Sequence, residues 1–306
     1  MRRIGRRLGR MAWSRGIRRS VALALIFLAL AAGQAGLARA GSGGTILYLP
    51  LVLNGSAQSA TQKPPTDPSY YVTTPDPNVA YNLGCTQGRF DASASPATDS
   101  LVVLDFGGQL SDGSSTLLIN GGPISNAQIE AVAEAFSQGY WYCTGSDQSS
   151  TLTLGIGTNN SYFDVNGSGG AAWAQVVAAV IASNQTKGYA AQVIAEGAND
   201  LEPAWDTTED SEAWANGYAA NAPAFYVDYG SADGCPTGNS SGAACGDGWT
   251  QYDVWYVSWG DSAARALPEI YGSVNAAQWA MLGLYGAENG GAAGKIAFSG
   301  PLDTYP

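Results

Sequence analysis

"AAQVIAEGANDLEPAW", residues 190–205, is the stretch on which the reading of this fold turns. Val193, Ile194 and Ala195 form a short apolar run that stops at glycine and is followed by Asn199, Asp200, Glu202, Pro203 and Trp205. A continuous apolar run suits a strand covered on both faces rather than on one. The polar cluster that follows lies where parallel α/β sheets gather their functional loops, at the carboxyl end of the strand.

The same texture recurs from about residue 97 onward. "SLVVLDFGG", "STLTLGIGTNN", "PAFYVDYGSADG", "DVWYVSWGD", "LPEIYGS" and "KIAFSGP" each end in glycine or a polar cluster. Helix-like segments lie between several of them. Residues 124–136 carry a Ser125 N-cap with Gln128 three residues on, the pattern of a capping box. Residues 170–183 are apolar nearly all round, and 208–219 and 273–282 are further helices by the same criteria. Strands alternating with helices over about 200 residues predict a parallel sheet, either open and doubly wound or closed into a (β/α)8-type barrel. No GxGxxG follows the first strand, and polar clusters follow nearly every strand, so the barrel is the expectation over 97–306. Seven strands are clear, and an eighth would fall on "GYWYC", residues 139–143.

Residues 1–40 read differently. Nine arginines precede or flank the apolar run "VALALIFLALAA", and "ARA" ends at Ala40. That order predicts a secretory signal peptide cleaved near Ala40, with an apolar run too short to span a bilayer. Residues 41–96 read as an N-terminal segment and linker rich in Pro, Ser and Thr, with prolines at 64, 65, 68, 75 and 77 arguing against regular structure.

Charge then limits the partners. The whole chain carries 14 basic and 25 acidic residues, net −11. Cleavage after Ala40 leaves 5 basic against 25 acidic, net −20. Such a field repels nucleic acid and anionic membrane surfaces. A secreted or cell-surface protein is expected, with no membrane contact after cleavage. Four cysteines in an exported chain imply disulfides, with three connectivities open. Cys235 and Cys245 bracket a loop that one bridge would pin, which leaves Cys85 for Cys143. A zinc site is the weaker alternative, since there is no CxxC spacing.

The chain has no histidine. That removes Ser-His-Asp and Cys-His catalysis and histidine-bound metals together. No cofactor or metal is implied, and Asp228, Asp233 and Asp247 match no EF-hand spacing. Proton transfer near neutral pH is left to carboxylates, tyrosines or one of three lysines. Among hydrolytic reactions, glycoside cleavage works with carboxylates alone.

Acids do follow the predicted strands: Asp105, Asp200 with Glu202, Asp228, Asp261 and Glu269. Strand alternation puts Glu196, Asp200 and Glu202 on one face if the backbone stays extended. Burial or a second negative charge there would raise the pKa of Glu202, as a general acid requires. Trp205, Tyr229, Trp259 and Tyr271 fall within a few residues of strand ends, and their flat faces suit sugar rings. Asn159 and Asn160, just past a strand, carry amides suited to sugar hydroxyls.

"DLE" at 200–202 resembles the end of the Asp-x-Asp-x-Glu strand of chitinase-like glycoside hydrolases, whose final Glu is the general acid. The resemblance covers Asp200 and Glu202, and the pattern's first Asp falls on Ala198. More loosely, 97–306 resembles a secreted glycoside-hydrolase-like barrel. It implies Glu202 as acid, with Asp200, Asp228, Asp105 or Glu269 tuning it or acting as nucleophile or base. The expectation is a secreted glycoside hydrolase acting on an extracellular or cell-wall polysaccharide. Its competitor is a non-catalytic carbohydrate-binding surface protein on the same scaffold.

Overall fold

The computed structural model describes residues 67–94, 98–161 and 165–305, with side chains to residue 302. The expected signal peptide and residues 41–66 lie outside the described residues. Nine strands and six α-helices build a mixed α/β fold around one mostly parallel sheet.

The strands are β1 (Asp67–Tyr71), β2 (Asp99–Gln109), β3 (Ser115–Leu117), β4 (Pro123–Ser125), β5 (Thr151–Asn159), β6 (Val193–Asp200), β7 (Tyr226–Asp228), β8 (Ala264–Ala266) and β9 (Leu302–Tyr305). The helices are α1 (Pro77–Ser93), α2 (Asn126–Cys143), α3 (Gly167–Lys187), α4 (Thr208–Ala219), α5 (Gln251–Trp255) and α6 (Ser273–Asn289). Strands β2, β5, β6, β7 and β8 run parallel in that spatial order. Strand β1 lies parallel to β2 and carries β9 on its other side. Antiparallel β3 and β4 extend the end of β2. Two isolated parallel bridges, Ala266 to Phe298 and Glu269 to Leu302, join the end of β8 to the segment that becomes β9.

The helices form where the sequence supplies caps. Ser125 and Gln128 make the reciprocal capping box of α2, and Thr207 caps α4. Helix α3 stops at Gly188, whose φ of 79° is the left-handed cap glycine favours. The larger core lies between the helices and one face of the sheet, and includes Leu104, Phe106, Ile129 and Phe136, all buried. Each such side chain contributes roughly 1.5–3 kcal/mol on burial. A smaller apolar cluster, Val103, Ala198, Val227, Leu267 and Leu302 with Tyr229, occupies the opposite face.

Three expectations are corrected here. "GYWYC" is the last turn of α2, not an eighth strand. "DVWYVSWGD" is helical, as α5 and a following π-turn over 256–260, with Thr250 and Asp253 forming its capping box. The stretch read as linker holds β1 and α1, whose prolines sit where they do no harm. Pro77 occupies the first turn of α1, where no N–H is needed, and Asp76 caps it. The described domain thus reaches back to Asp67, thirty residues before the expected start at 97.

Cys85 is bonded to Cys143 and Cys235 to Cys245, the expected connectivity. Among the described residues no helix is long and apolar enough to cross a membrane. The two disulfides fit an extracellular protein.

Candidate active site

Register decides which side chains meet. Tyr71, Asp105, Gly157, Ala198, Val227 and Arg265 are paired in one row across β1, β2, β5, β6, β7 and β8. Asn159 and Asp200 are paired two residues further on, and so share that face. This is the face of the smaller apolar cluster, and its C-terminal end carries the acids.

Three carboxyls converge there. One oxygen from each of Asp200, Glu202 and Glu269 lies within 4.8 Å of the others. Glu202 and Glu269 are in hydrogen-bonding contact, and the Tyr271 hydroxyl donates to Glu269 at 2.5 Å. Asp200 and Glu269 are buried, and Glu202 is half-buried. Desolvation, then the charge of Glu269, raises Glu202 from 4.5 to about 8. Asp200 is raised well above its ordinary range by burial and then by Glu202 and Glu269. Its Oδ1 is buried without a hydrogen-bond partner. Three such oxygens could share a hard divalent ion, though the carboxyl contact between Glu202 and Glu269 is itself the signature of a shared proton.

The remaining polar groups hold this cluster in place. Asn160, buried at the end of β5, clamps the backbone of Glu202. Its Nδ2 donates to the Glu202 carbonyl and its Oδ1 accepts from the Glu202 N–H, both at 3.1 Å. The same Nδ2 reaches Ser211 of α4 at 3.3 Å. Both ends of the Asn160 amide are therefore engaged within the protein. Asn159 donates to both oxygens of Asp105 at 3.3 and 3.4 Å, and Asp105 also accepts from the Gly107 N–H at 2.6 Å. Gly107 has φ 77° in a register shift of β2, where a Cβ would strike the Leu117 carbonyl. The shift turns the end of β2 around the Asp105 carboxylate. Burial raises the Asp105 pKa against those hydrogen bonds.

The other expected residues lie elsewhere. Asp228 pairs in register with Asn199, which puts it on the face of Tyr226 rather than that of Asp200. It accepts from the Leu201 and Gly230 N–H groups at 3.3 and 3.2 Å, and burial raises it to about 7. It ties two loops beneath the site. Tyr229 is buried, with its hydroxyl on the Thr158 carbonyl at 2.8 Å, in space that Gly157 leaves by lacking a Cβ. Trp259 sits in the π-turn before β8, at the other end of that strand, and donates its indole N–H to Ala293. Asp261 follows it there, accepting from the Ala263 N–H. The polar groups of all four are thus engaged by the protein backbone.

Trp205 is half-buried and lines a cleft of about 170 Å³ with Tyr71, Leu117, Ile119, Asn159 and Ser161. Tyr71 was missed in the sequence, though "YYV" among prolines was its only signal. A larger cleft of about 530 Å³ is lined by Pro203, Ala204, Asp206, Thr207, Glu209 and Asp247.

Comparison with protein-family models, with curated proteins and with solved structures finds no match to this chain.

Proposed function

We propose that the protein is an exported glycoside hydrolase acting on an extracellular or cell-wall polysaccharide by a two-carboxylate mechanism. The observation that carries this reading is the pairing of Glu202, raised to about 8, with Glu269 at the C-terminal end of a parallel sheet. A carboxyl raised to about 8 beside a second carboxyl would supply a proton donor at neutral pH, with its neighbour in place as nucleophile or base. Glu202, held by Asn160 and protonated near pH 7, would protonate the glycosidic oxygen. Glu269, which accepts from Tyr271 and Glu202, would be the nucleophile or base, with burial and then the charge of Glu269 keeping Glu202 protonated. Trp205 and Tyr71 would offer flat faces to a sugar ring.

The scaffold reading goes with it. The two bridges from β8 toward β9, with β9 on β1, support a sheet closed as a (β/α) barrel of seven parallel strands. Active sites of such barrels lie at the C-terminal ends of the strands, where these carboxyls are. Export rests on the basic-then-apolar leader and fits the two disulfides.

One observation favours the second reading, a barrel that binds glycans without cleaving them. Glu202 and Glu269 touch, whereas catalytic carboxyls are separated by about 5–5.5 Å or about 6.5–9.5 Å. A hydrolase must therefore part them when substrate enters. The test is reducing-sugar release from a panel of extracellular polysaccharides between pH 5 and 8. Glu202→Gln is expected to lower kcat about 10²–10⁴-fold with the fold intact by circular dichroism. Undiminished turnover by that variant sinks the assignment, and glycan binding without release by either form supports the second reading.

A further inference from the structure

Every charged residue that lines the larger cleft is acidic, and so is each of the carboxyls that converge at the end of the sheet. The C-terminal end of the sheet holds Asp105, Asp200, Glu202 and Glu269, and the larger cleft adds Asp206, Glu209 and Asp247. The described residues include four cationic side chains, Arg89, Lys187, Arg265 and Lys295, and none lines either cleft. Two are already engaged elsewhere: Lys187 with Glu134 at 2.7 Å and Arg265 with Glu196 at 3.1 Å. The cluster also has an open demand for a donor, since Asp200 is 1 % exposed and its Oδ1 has no partner.

We infer that the substrate is an amino-sugar chain carrying free ammonium groups, glucosamine units being the simplest case. This rests on the glycoside-hydrolase reading of the same site. An ammonium group supplies N–H donors and positive charge together, which is what a buried carboxylate without a partner lacks. A uronate chain would bring like charge into a site with no cation to receive it. A neutral sugar would satisfy hydrogen bonds and bring no positive charge to the rim carboxylates Glu209 and Asp247. The exposed carboxylates Glu209 and Asp247 sit on the rim of the larger cleft, where successive ammonium groups of an extended chain would pass.

The test uses the purified protein carrying Glu202→Gln, so that binding is read without turnover, and three hexasaccharides: glucosamine, N-acetylglucosamine of the same linkage, and galacturonate. By titration calorimetry, the glucosamine hexamer is expected to bind at least about tenfold more tightly than its acetylated form at low salt. That advantage should shrink as NaCl rises to about 500 mM, with the galacturonate hexamer not binding. Any acidic protein attracts a polycation, so location is tested separately. Glu209→Gln with Asp247→Asn should weaken glucosamine binding about fivefold, and Asp99→Asn with Glu288→Gln, which line neither cleft, less than about twofold. Equal losses in the two pairs, equal affinity for the acetylated chain, or no binding of glucosamine overturns the inference. Release of sugar from a neutral chain by the unmodified protein, without glucosamine binding, would leave the hydrolase standing and remove only this step. Glucosamine binding without cleavage of any chain would do the reverse.

Discussion

Glu196 and Asp200 are four residues apart on β6 and point to the same side, yet the fold treats them in opposite ways. Glu196, toward the start of the strand, is met by Arg265 at 3.1 Å, and that guanidinium also covers the Phe225 ring at 3.7 Å. Asp200, about 13 Å further along, is met by two more acids and no cation. Burial raises both pKa values. At Glu196 the arginine works against that rise, whereas at Asp200 Glu202 and Glu269 add to it. Burying unpaired like charges is expensive, and a protein that can place an arginine at one end of a strand had the means to place one at the other. On the proposed function, the acidic end is where stability is set aside for chemistry.

The largest effect expected from this difference concerns pH. Glu202 stands at about 8 and Asp228 at about 7 in the folded protein, against ordinary values of 4.5 and 3.8. The folded chain therefore holds protons that the unfolded chain releases. Their contribution to stability is complete below about pH 4 and is lost as pH rises through 7 to 8. Thermal unfolding should show Tm falling across that window. Glu202→Gln combined with Asp200→Asn should flatten the fall and raise Tm at pH 8.5 by more than about 2–4 °C, the equivalent of at least about 1 kcal/mol. A double variant less stable than the parent at pH 8.5 would mean the acidic end is not a site of repulsion at all.

A smaller effect comes from the clamp beneath it. Asn160→Ala leaves the Glu202 N–H without its partner and its carbonyl with the Trp205 N–H alone, and should destabilise by about 1–3 kcal/mol. The sharper readout is the carboxyl itself. In protein labelled with ¹³C at glutamate carboxyls, the Glu202 resonance should titrate nearer the ordinary carboxylate range once the backbone is free to leave Glu269. Titration unchanged near 8 would show that burial alone sets it and that Asn160 only supports the fold.

Sequence and structure part company at identifiable places. Strands β2, β5, β6 and β7 were legible because each is a dense apolar run stopped by a polar cluster. Helix α2 was legible because Ser125 and Gln128 cap it as their spacing predicts. "DVWYVSWGD" misled because it is as apolar as a buried strand. Its pattern of Val254, Val257 and Ser258 in the core has the spacing of a helix. Strand β1 and helix α1 were hidden by prolines whose positions, not their number, decide the structure. At the site, Asp200 and Glu202 could be read locally, since the segment contains both. That Glu269 reaches them depends on pairing between β8 and a segment over thirty residues later, which no local pattern carries. Asp228 was placed with them by its position after a strand, but its register with Asn199 puts it on the other face.

The smallest expected effect is at the paired end, and it tests whether the two ends are separate. Arg265→Met keeps a long apolar stem over Phe225 and removes the charge. Glu196 is buried, but Arg265 is 40 % exposed, so the attraction is partly screened and the loss should be about 1 kcal/mol at pH 7. Without the arginine, the folded pKa of Glu196 rises further above its unfolded value. The added penalty should be absent below about pH 4, where Glu196 is protonated in both states, and grow as pH rises through that folded pKa. Glu196→Gln in the same chain should remove the pH-dependent part, giving a coupling energy by double-mutant cycle. The Glu202 resonance should not move in Arg265→Met. If it does, charge at one end of β6 is felt at the other through the apolar row of Val103, Ala198 and Val227. Arg265 would then belong to the acidic site as a distant brake on its acidity rather than to a neutral, purely structural end.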